Sequence, residues 1–438
     1  MRHPNLLFIN WHDTGRHFGC LGIATVCSPR VDQLASEGVL FEQCCAAATL
    51  CSPSRGAMLT GRYPQSNGLM HLCHGNFDWR FNPDTQHLAQ LLGARGYYTC
   101  LHGFQHETPH PDVARLGFHD HYNEKPTPPI YPVPPCDVIA AGAAEFLKSD
   151  AAQRQPFYLQ LGFFETHRPY HFGGIEPDDG KGVQIPPYVV DNDAARDDFA
   201  HLQGSIRKAD HNVGVVLDAL HETGLAGNTI VVFTVDHGVA VPSAKTTMYD
   251  PGIGVILIVR WPEGGIAGGR RSQRLVSNVD IVPTLFDLMG FEQEEFFDGR
   301  SFAGEFDGHD GPASRTHVFS MLHTGLQRAV RSERHKLIRY FEKHREVRRP
   351  ADLSVVSSAH EGQRNMTSLD RVQLFDLEAD PLEMNNLADD PARADTRAEL
   401  DTQLWRWMES VDDPLLHGPT PPPRWHQSIA DYRRWKSH

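Results

Sequence analysis

Two runs constrain this chain more tightly than anything else in it. Residues 5–11 and Thr229–Val235 lack the polar alternation of a half-exposed strand and read as buried strands of a largely parallel sheet. Each hands the chain to an ionisable pair, His12-Asp13 after the first and Asp236-His237 after the second. The pairs are too far apart along the chain to form a local motif. A doubly wound α/β sheet sets the carboxyl ends of its strands side by side, and that architecture makes one site of the two pairs. Gly15 permits the turn that lets adjacent residues at one strand end reach the same point. Taken alone, Asp13 would also serve as an ordinary cap before a turn.

The second signal is Cys51-Ser52-Pro53-Ser54-Arg55, continued by Gly56 to Thr60 and closed by Gly61-Arg62-Tyr63-Pro64. Pro53 favours the first helical turn, while Gly61 and Pro64 stop the helix, which puts Cys51 at a helix N-terminus where free N–H groups favour an anion. A cysteine there is either a thiolate of low pKa or the precursor of something more reactive, and Arg55, about one turn on, points back towards it. The plainer alternative is a buried free cysteine ahead of a helix.

The Cys51 to Arg55 string, with Leu59-Thr60-Gly61-Arg62 downstream, resembles the signature of the type I, formylglycine-dependent sulfatases. The resemblance implies an alkaline phosphatase-like α/β fold with a central, mostly parallel mixed sheet flanked by helices. A smaller C-terminal α+β domain with an antiparallel sheet completes it. It also implies that a formylglycine-generating enzyme converts Cys51 to 3-oxoalanine, whose hydrated aldehyde is the nucleophile. A divalent metal would be held by His12, Asp13, Asp236, His237 and the modified Cys51. Calcium is the family's usual ion, although two imidazoles tilt such a site towards manganese, zinc or iron. By the same resemblance Lys245 contacts sulfate, Arg55 adds positive potential, His167 protonates the leaving group and His106 deprotonates the nucleophile's remaining hydroxyl. Arg168 is a possible substrate cation.

Two departures stand out. His12 occupies a position where these enzymes carry aspartate, and in Gly103-Phe104-Gln105-His106 the ring of Phe104 replaces a sulfate-binding lysine, leaving His102 or Arg16 as stand-ins. Gln65 to His71, taken with Cys51 to Pro64, looks most like the heparan N-sulfatase (sulfamidase) branch. The expected substrate is therefore an N-sulfoglucosamine-like sugar or an aryl sulfate. Phosphonate monoester or phosphodiester hydrolysis is the alternative chemistry on this architecture, and a non-catalytic metal- or glycan-binding relative with unmodified Cys51 is the second alternative.

Composition adds exclusions. A formal charge of −14 over 438 residues argues against nucleic acid and anionic membrane surfaces, so cations for an anionic substrate must be local. The eight cysteines show no zinc-ribbon spacing and read as reduced thiols. No apolar run is long enough for a signal peptide or a membrane span, which gives a cytoplasmic expectation.

The remaining punctuation predicts helices over Pro29–Glu37, Thr85–Arg95, Asp137–Ser149 and Phe199–Thr223, and strands over Val39–Cys44, Tyr97–Leu101, Pro156–Phe164 and Gly254–Arg260. The Pro-rich stretch Pro126–Pro135 is expected over the active-site face. A boundary falls in the Gly/Asp-rich span Asp298–Ser314, dividing a catalytic domain (1–310) from a C-terminal subdomain (311–438). That subdomain is expected to hold strands His317–Met321, Leu326–Arg331, Lys336–Tyr340 and Gln373–Leu377 under a helix Arg393–Met408. Lys343–Arg349 and the tail Arg424–His438 read as loops or subunit contacts, and a homo-oligomer is possible.

Overall fold

In the computed structural model, residues 3–436 are described apart from 76, 123–133, 308–314, 324–325 and 343–370. Eight strands form one sheet: β1 (Asn5–Trp11), β2 (Val39–Cys45), β3 (Tyr98–Gly103), β4 (Asp120–Tyr122), β5 (Phe157–Gly162), β6 (Thr229–Val235), β7 (Gly254–Arg260) and β8 (Arg270–Ser277). Their order is β4-β3-β5-β1-β6-β7-β2-β8. β7 runs against β6 and β2, and the other neighbours are parallel. Every residue of β1 and β6 is buried, as expected of central strands covered by helices on both faces.

The departures from the sequence reading have local causes. β8 is not anticipated by the pattern, because its first half alternates half-buried Arg270, Ser272 and Arg274 with exposed Arg271 and Gln273, as suits a charged edge strand. The helix expected from Phe199 begins at Asp193, where the Asn192 side chain accepts the Ala195 N–H as a cap, and runs to Glu222. The helix expected over Thr85–Arg95 is only Leu88–Gly93. The tail expected as loop is a helix, Pro423–Lys436. Residues 126–133 of the Pro-rich stretch and the basic run Lys343–Arg349 lie outside the described residues. Among the described residues no helix is long and apolar enough to cross a membrane, and all eight cysteines are free.

A second sheet, β9 (Val318–Leu322), β10 (Gln327–Arg331), β11 (His335–Tyr340) and β12 (Val372–Asp376), is antiparallel in the order β12-β11-β10-β9. Helix Ala394–Ser410 packs on it, with Trp407 stacked on Phe319 at 5.0 Å and edge-on to Tyr63 at 5.1 Å. The Met321 N–H donates to the Ala47 carbonyl at 2.9 Å and Ser320 Oγ donates to that of Ala46 at 2.6 Å. The small sheet thus braces the segment that delivers Cys51.

Its own anchor is the buried pair Arg328–Asp413, two parallel N–H···O bonds of 2.5 and 2.8 Å, with Gln65 donating to the same carboxylate at 2.8 Å. Removing one partner strands the other charge, so Asp413→Ala should cost about 3–5 kcal/mol in urea unfolding at neutral pH. Burial pushes the Asp413 carboxyl up, but its bonds to Arg328 outweigh that and hold it below its ordinary value. A depressed folded pKa stabilises fully above the unfolded pKa and loses the effect as pH falls through the folded one. The gap between parent and variant should therefore narrow below about pH 4; equal stability at pH 7 would refute this role.

Candidate active site

Four neighbouring parallel strands bring their carboxyl ends to one place. β3 leads to His106, β5 to His167, β1 to His12 and Asp13, and β6 to Asp236 and His237. β1 and β6 pair up to Trp11 opposite Val235, so the next residues of both strands start level. The turn after β1 needs its glycine: Gly15 has φ +56°, and a Cβ there would meet Gly238 Cα at 3.0 Å.

Asp236 ties the strand tips together. Its Oδ1 accepts the N–H groups of Asp13 and His237, each at 3.0 Å, and its Oδ2 accepts from Arg55 Nε at 3.1 Å and lies 3.0 Å from His12 Nδ1. Burial alone would raise this carboxyl, but His237, His12 and Arg55 outweigh it and hold it well below the carboxylate range. Asp13 faces Lys245, whose Nζ donates to both carboxylate oxygens at 2.9 and 2.7 Å. Here too burial pushes up and the ammonium wins, setting Asp13 at about 2. His12 is driven down to about 3, by burial first and then by Arg55, so its ring is neutral at pH 7.

Cys51 opens the helix Cys51–Thr60 as expected. Its Sγ lies 3.2 Å from His237 Nε2, 3.6 Å from Lys245 Nζ and 4.0 Å from Asp13 Oδ1. It is not a low-pKa thiolate: burial is the largest influence and raises it, Lys245 opposes, and Asp236 and Asp13 push it further up. Arg55 does not turn back to Cys51 either. Fully buried, it gives Nε to Asp236 and its other bond, at 3.0 Å, to the Trp11 carbonyl.

The other residues divide. His167 lies with Nε2 3.9 Å from Asp13 Oδ2, and its Nδ1 is 2.6 Å from the Arg168 carbonyl, which assigns the proton to Nδ1 and turns Nε2 to the site. His106 packs near His12, ring centroids 6.1 Å apart, but makes no hydrogen bond to Cys51; its Nε2 faces His74 Nδ1. Arg168 is taken by Asp198 at 2.6 and 2.5 Å, so the substrate cation expected there is already paired. Neither stand-in for the missing lysine reaches the site. His102 stacks on Tyr122 at 4.4 Å under helix Cys136–Lys148, and Arg16 pairs with Asp250 at 3.1 Å. Phe104 fills the position with a ring 4.6 Å from His12 and 5.5 Å from the Arg55 guanidinium.

Sequence reasoning missed the brace behind the site. Ser54 Oγ donates to the Asp236 carbonyl at 2.5 Å and accepts from Asn278 at 2.9 Å, while Asn278 accepts the Ala47 N–H at 2.8 Å. Nothing local marks Asn278 for this.

A cation fits these residues. Donor atoms of His12, Asp13, Cys51 and Asp236 lie within 4.8 Å of one another, all buried. His237 falls outside that set, yet its Nε2 is 3.4 Å from Asp13 Oδ1, and its Nδ1, 3.0 Å from the Gly238 carbonyl, fixes the ring with Nε2 inward. The buried His12 Nε2 has no hydrogen-bond partner among the described residues, and the Lys245 ammonium already shows that Asp13 draws positive charge.

The chain matches the Sulfatase family over residues 4–291 and the N-sulphoglucosamine sulphohydrolase C-terminal family over residues 242–354. It is 27% identical to the N-sulphoglucosamine sulphohydrolase of Homo sapiens, across 95% of this chain and 92% of that one. An ulvan-active sulfatase of Formosa agariphila is also 27% identical, across 94% of this chain and 75% of its own. Among solved structures, one described as a complex with its substrate D-glucosamine-2-N,6-O-disulfate superposes with a TM-score of 0.74 at 20% identity, covering 94% of this chain and 99% of that one. A sulfatase-like protein of Bacteroides fragilis gives 0.77 at 22% identity, covering 96% and 98%.

Proposed function

Because the chain belongs to the sulfatase family, we propose that it hydrolyses sulfate from an N-sulfoglucosamine-like sugar, with Cys51 converted to formylglycine and a divalent cation at His12, Asp13, Asp236 and His237. The observation that carries this is the meeting of Asp13, Asp236, Lys245 and Cys51 at the ends of two adjoining strands. The human relative and the disulfated-glucosamine complex support the choice of sugar. When present, the cation would polarise a sulfuryl oxygen and the aldehyde hydrate would supply an oxygen nucleophile.

The rest falls to the chain's own side chains. Lys245, 3.6 Å from Cys51 Sγ, neutralises a sulfuryl oxygen beside the nucleophile, and the helix N-terminus adds partial positive charge at the same point. Arg55 acts at one remove, holding Asp236 ionised and aimed inward. His167 presents Nε2 to the site; burial keeps its ring deprotonated at rest and Asp13 opposes this. A bound sulfate would add to the pull of Asp13 and favour the imidazolium that protonates the leaving nitrogen or oxygen. His106 receives a proton later, when sulfate is expelled. Phe104 leaves the site one cation poorer and offers a ring face in its place.

Parallel assays on glucosamine N-sulfate, an aryl sulfate and a phosphonate monoester test the reading. The N-sulfate should have the highest kcat/KM; a phosphonate turned over fastest would replace it. Dialysis against a strong chelator should reduce sulfate release by about a hundredfold or more. Calcium is expected to restore it first, with manganese next. Full activity in chelated, metal-free protein would exclude the cation.

A further inference from the structure

Beside the site, a second group of ligand atoms converges that the reaction does not require as a group. Cys73, His74 and His106 offer a sulfur and two imidazole nitrogens that all lie within 4.8 Å of one another. Cys73 Sγ donates to the His106 carbonyl at 3.3 Å, and its own N–H is held by Ser52 Oγ at 3.2 Å, so the thiol is fixed against the His106 backbone. The two rings stack at 4.3 Å, with His106 Nε2 facing His74 Nδ1. Cys73 and His106 are buried and His74 is partly exposed, which gives an approach from solvent.

A further observation points to a ligand. Glu107 is fully buried, and neither of its carboxylate oxygens has a hydrogen-bond partner among the described residues. Glu107 directly follows His106 in the chain. A buried carboxyl without a hydrogen bond, next in the chain to one of these imidazoles, favours a cation nearby.

We propose that Cys73, His74 and His106 form a second metal site, selective for a thiolate-seeking divalent ion such as Zn2+, and that its occupancy withdraws His106 from the reaction. Tetrahedral zinc with one sulfur and two nitrogens needs donor separations on the order of 3.5 Å, which requires small side-chain shifts from the present arrangement. Binding forms one Zn–S and two Zn–N bonds, and the Cys73 proton passes to solvent; water fills the fourth position. The Cys73 thiolate offsets one of the ion's two charges. Calcium is refused because the triad offers it no oxygen donor. The inhibitory half rests on the proposed role of His106; the metal site does not.

The test uses the full chain, with cobalt(II) as a spectroscopic probe and zinc as inhibitor. Cys51→Ala protein, in which the first site offers no thiol, should show a thiolate-to-cobalt charge-transfer band, and Cys73→Ser in that same background should lack it. Micromolar zinc should inhibit hydrolysis of glucosamine N-sulfate by the parent, and Cys73→Ser, with basal activity kept, should need about tenfold more zinc or higher for half-inhibition. Should Cys73→Ser fail to fold, His74→Ala gives the same comparison through zinc affinity. In the Cys51→Ala background, a band that survives Cys73→Ser, or no band with Cys73 intact, overturns the site. A Cys73-dependent band in a chain whose turnover ignores zinc supports the site and overturns the inhibition. A chain without sulfatase activity that still gives the band would count against the proposed function alone.

Discussion

Cys51→Ala is expected to release sulfate more than about a thousandfold more slowly than the parent chain, while melting within a few degrees of it. The two halves of this result have different origins. Chemically, alanine cannot be converted to a carbonyl, and among the described residues no other hydroxyl or thiol lies at the point shared by Asp13, Lys245 and His237. Structurally, Sγ makes one close polar contact, to His237, and two longer ones, and the helix start is held by other groups, chiefly Ser54 on the Asp236 carbonyl. Removing one buried atom from such a position costs about 1 kcal/mol. Retained turnover in Cys51→Ala would remove the nucleophile from the account. Loss of the fold would show that the thiol has a structural role that these contacts do not reveal.

Asp236→Asn should damage both activity and stability. The amide keeps the shape but loses the charge that faces Arg55 and His12, so a fully buried guanidinium is left without its counter-ion. Breaking such a pair from one side costs about 3–5 kcal/mol, a large share of the stability of a domain of ordinary size. Activity should fall by about a hundredfold or more, because the same carboxylate orients Asp13 and His237 through their N–H groups and contributes a donor to the cation. Urea unfolding, metal content and kcat/KM measured on one preparation check this together. A variant of parental stability that binds metal normally would show that Asp236 is not the tie between the strand tips.

Much of the framework was legible because its signals are local. β1 and β6 carry runs apolar enough to be buried on both faces, and the Cys51 helix is bracketed by proline and glycine, so its register follows from backbone chemistry. β8 was invisible because Arg270, Arg271 and Arg274 sit where a strand pattern wants apolar residues, and they do so because the strand lies at the sheet edge. The site divides in the same way. That two Asp–His pairs would meet followed from the topology, but which cation each aspartate would face did not. Arg55 turning to Asp236, Lys245 to Asp13 and Arg168 to Asp198 are choices among distant partners that no spacing encodes. The thiol of Cys51 shows the same limit. A helix N-terminus argues for a low pKa, and only the three-dimensional packing shows that burial and two carboxylates outweigh it.

The proteolytic peptide carrying Cys51, taken from chain co-expressed with a formylglycine-generating enzyme and weighed by mass spectrometry, goes most directly to the centre of this account. The aldehyde form has lost the sulfur and a pair of hydrogens and gained an oxygen atom, and its fraction should rise in proportion to sulfate release from one preparation to the next. A preparation that turns over glucosamine N-sulfate at full rate with Cys51 still a thiol would contradict it.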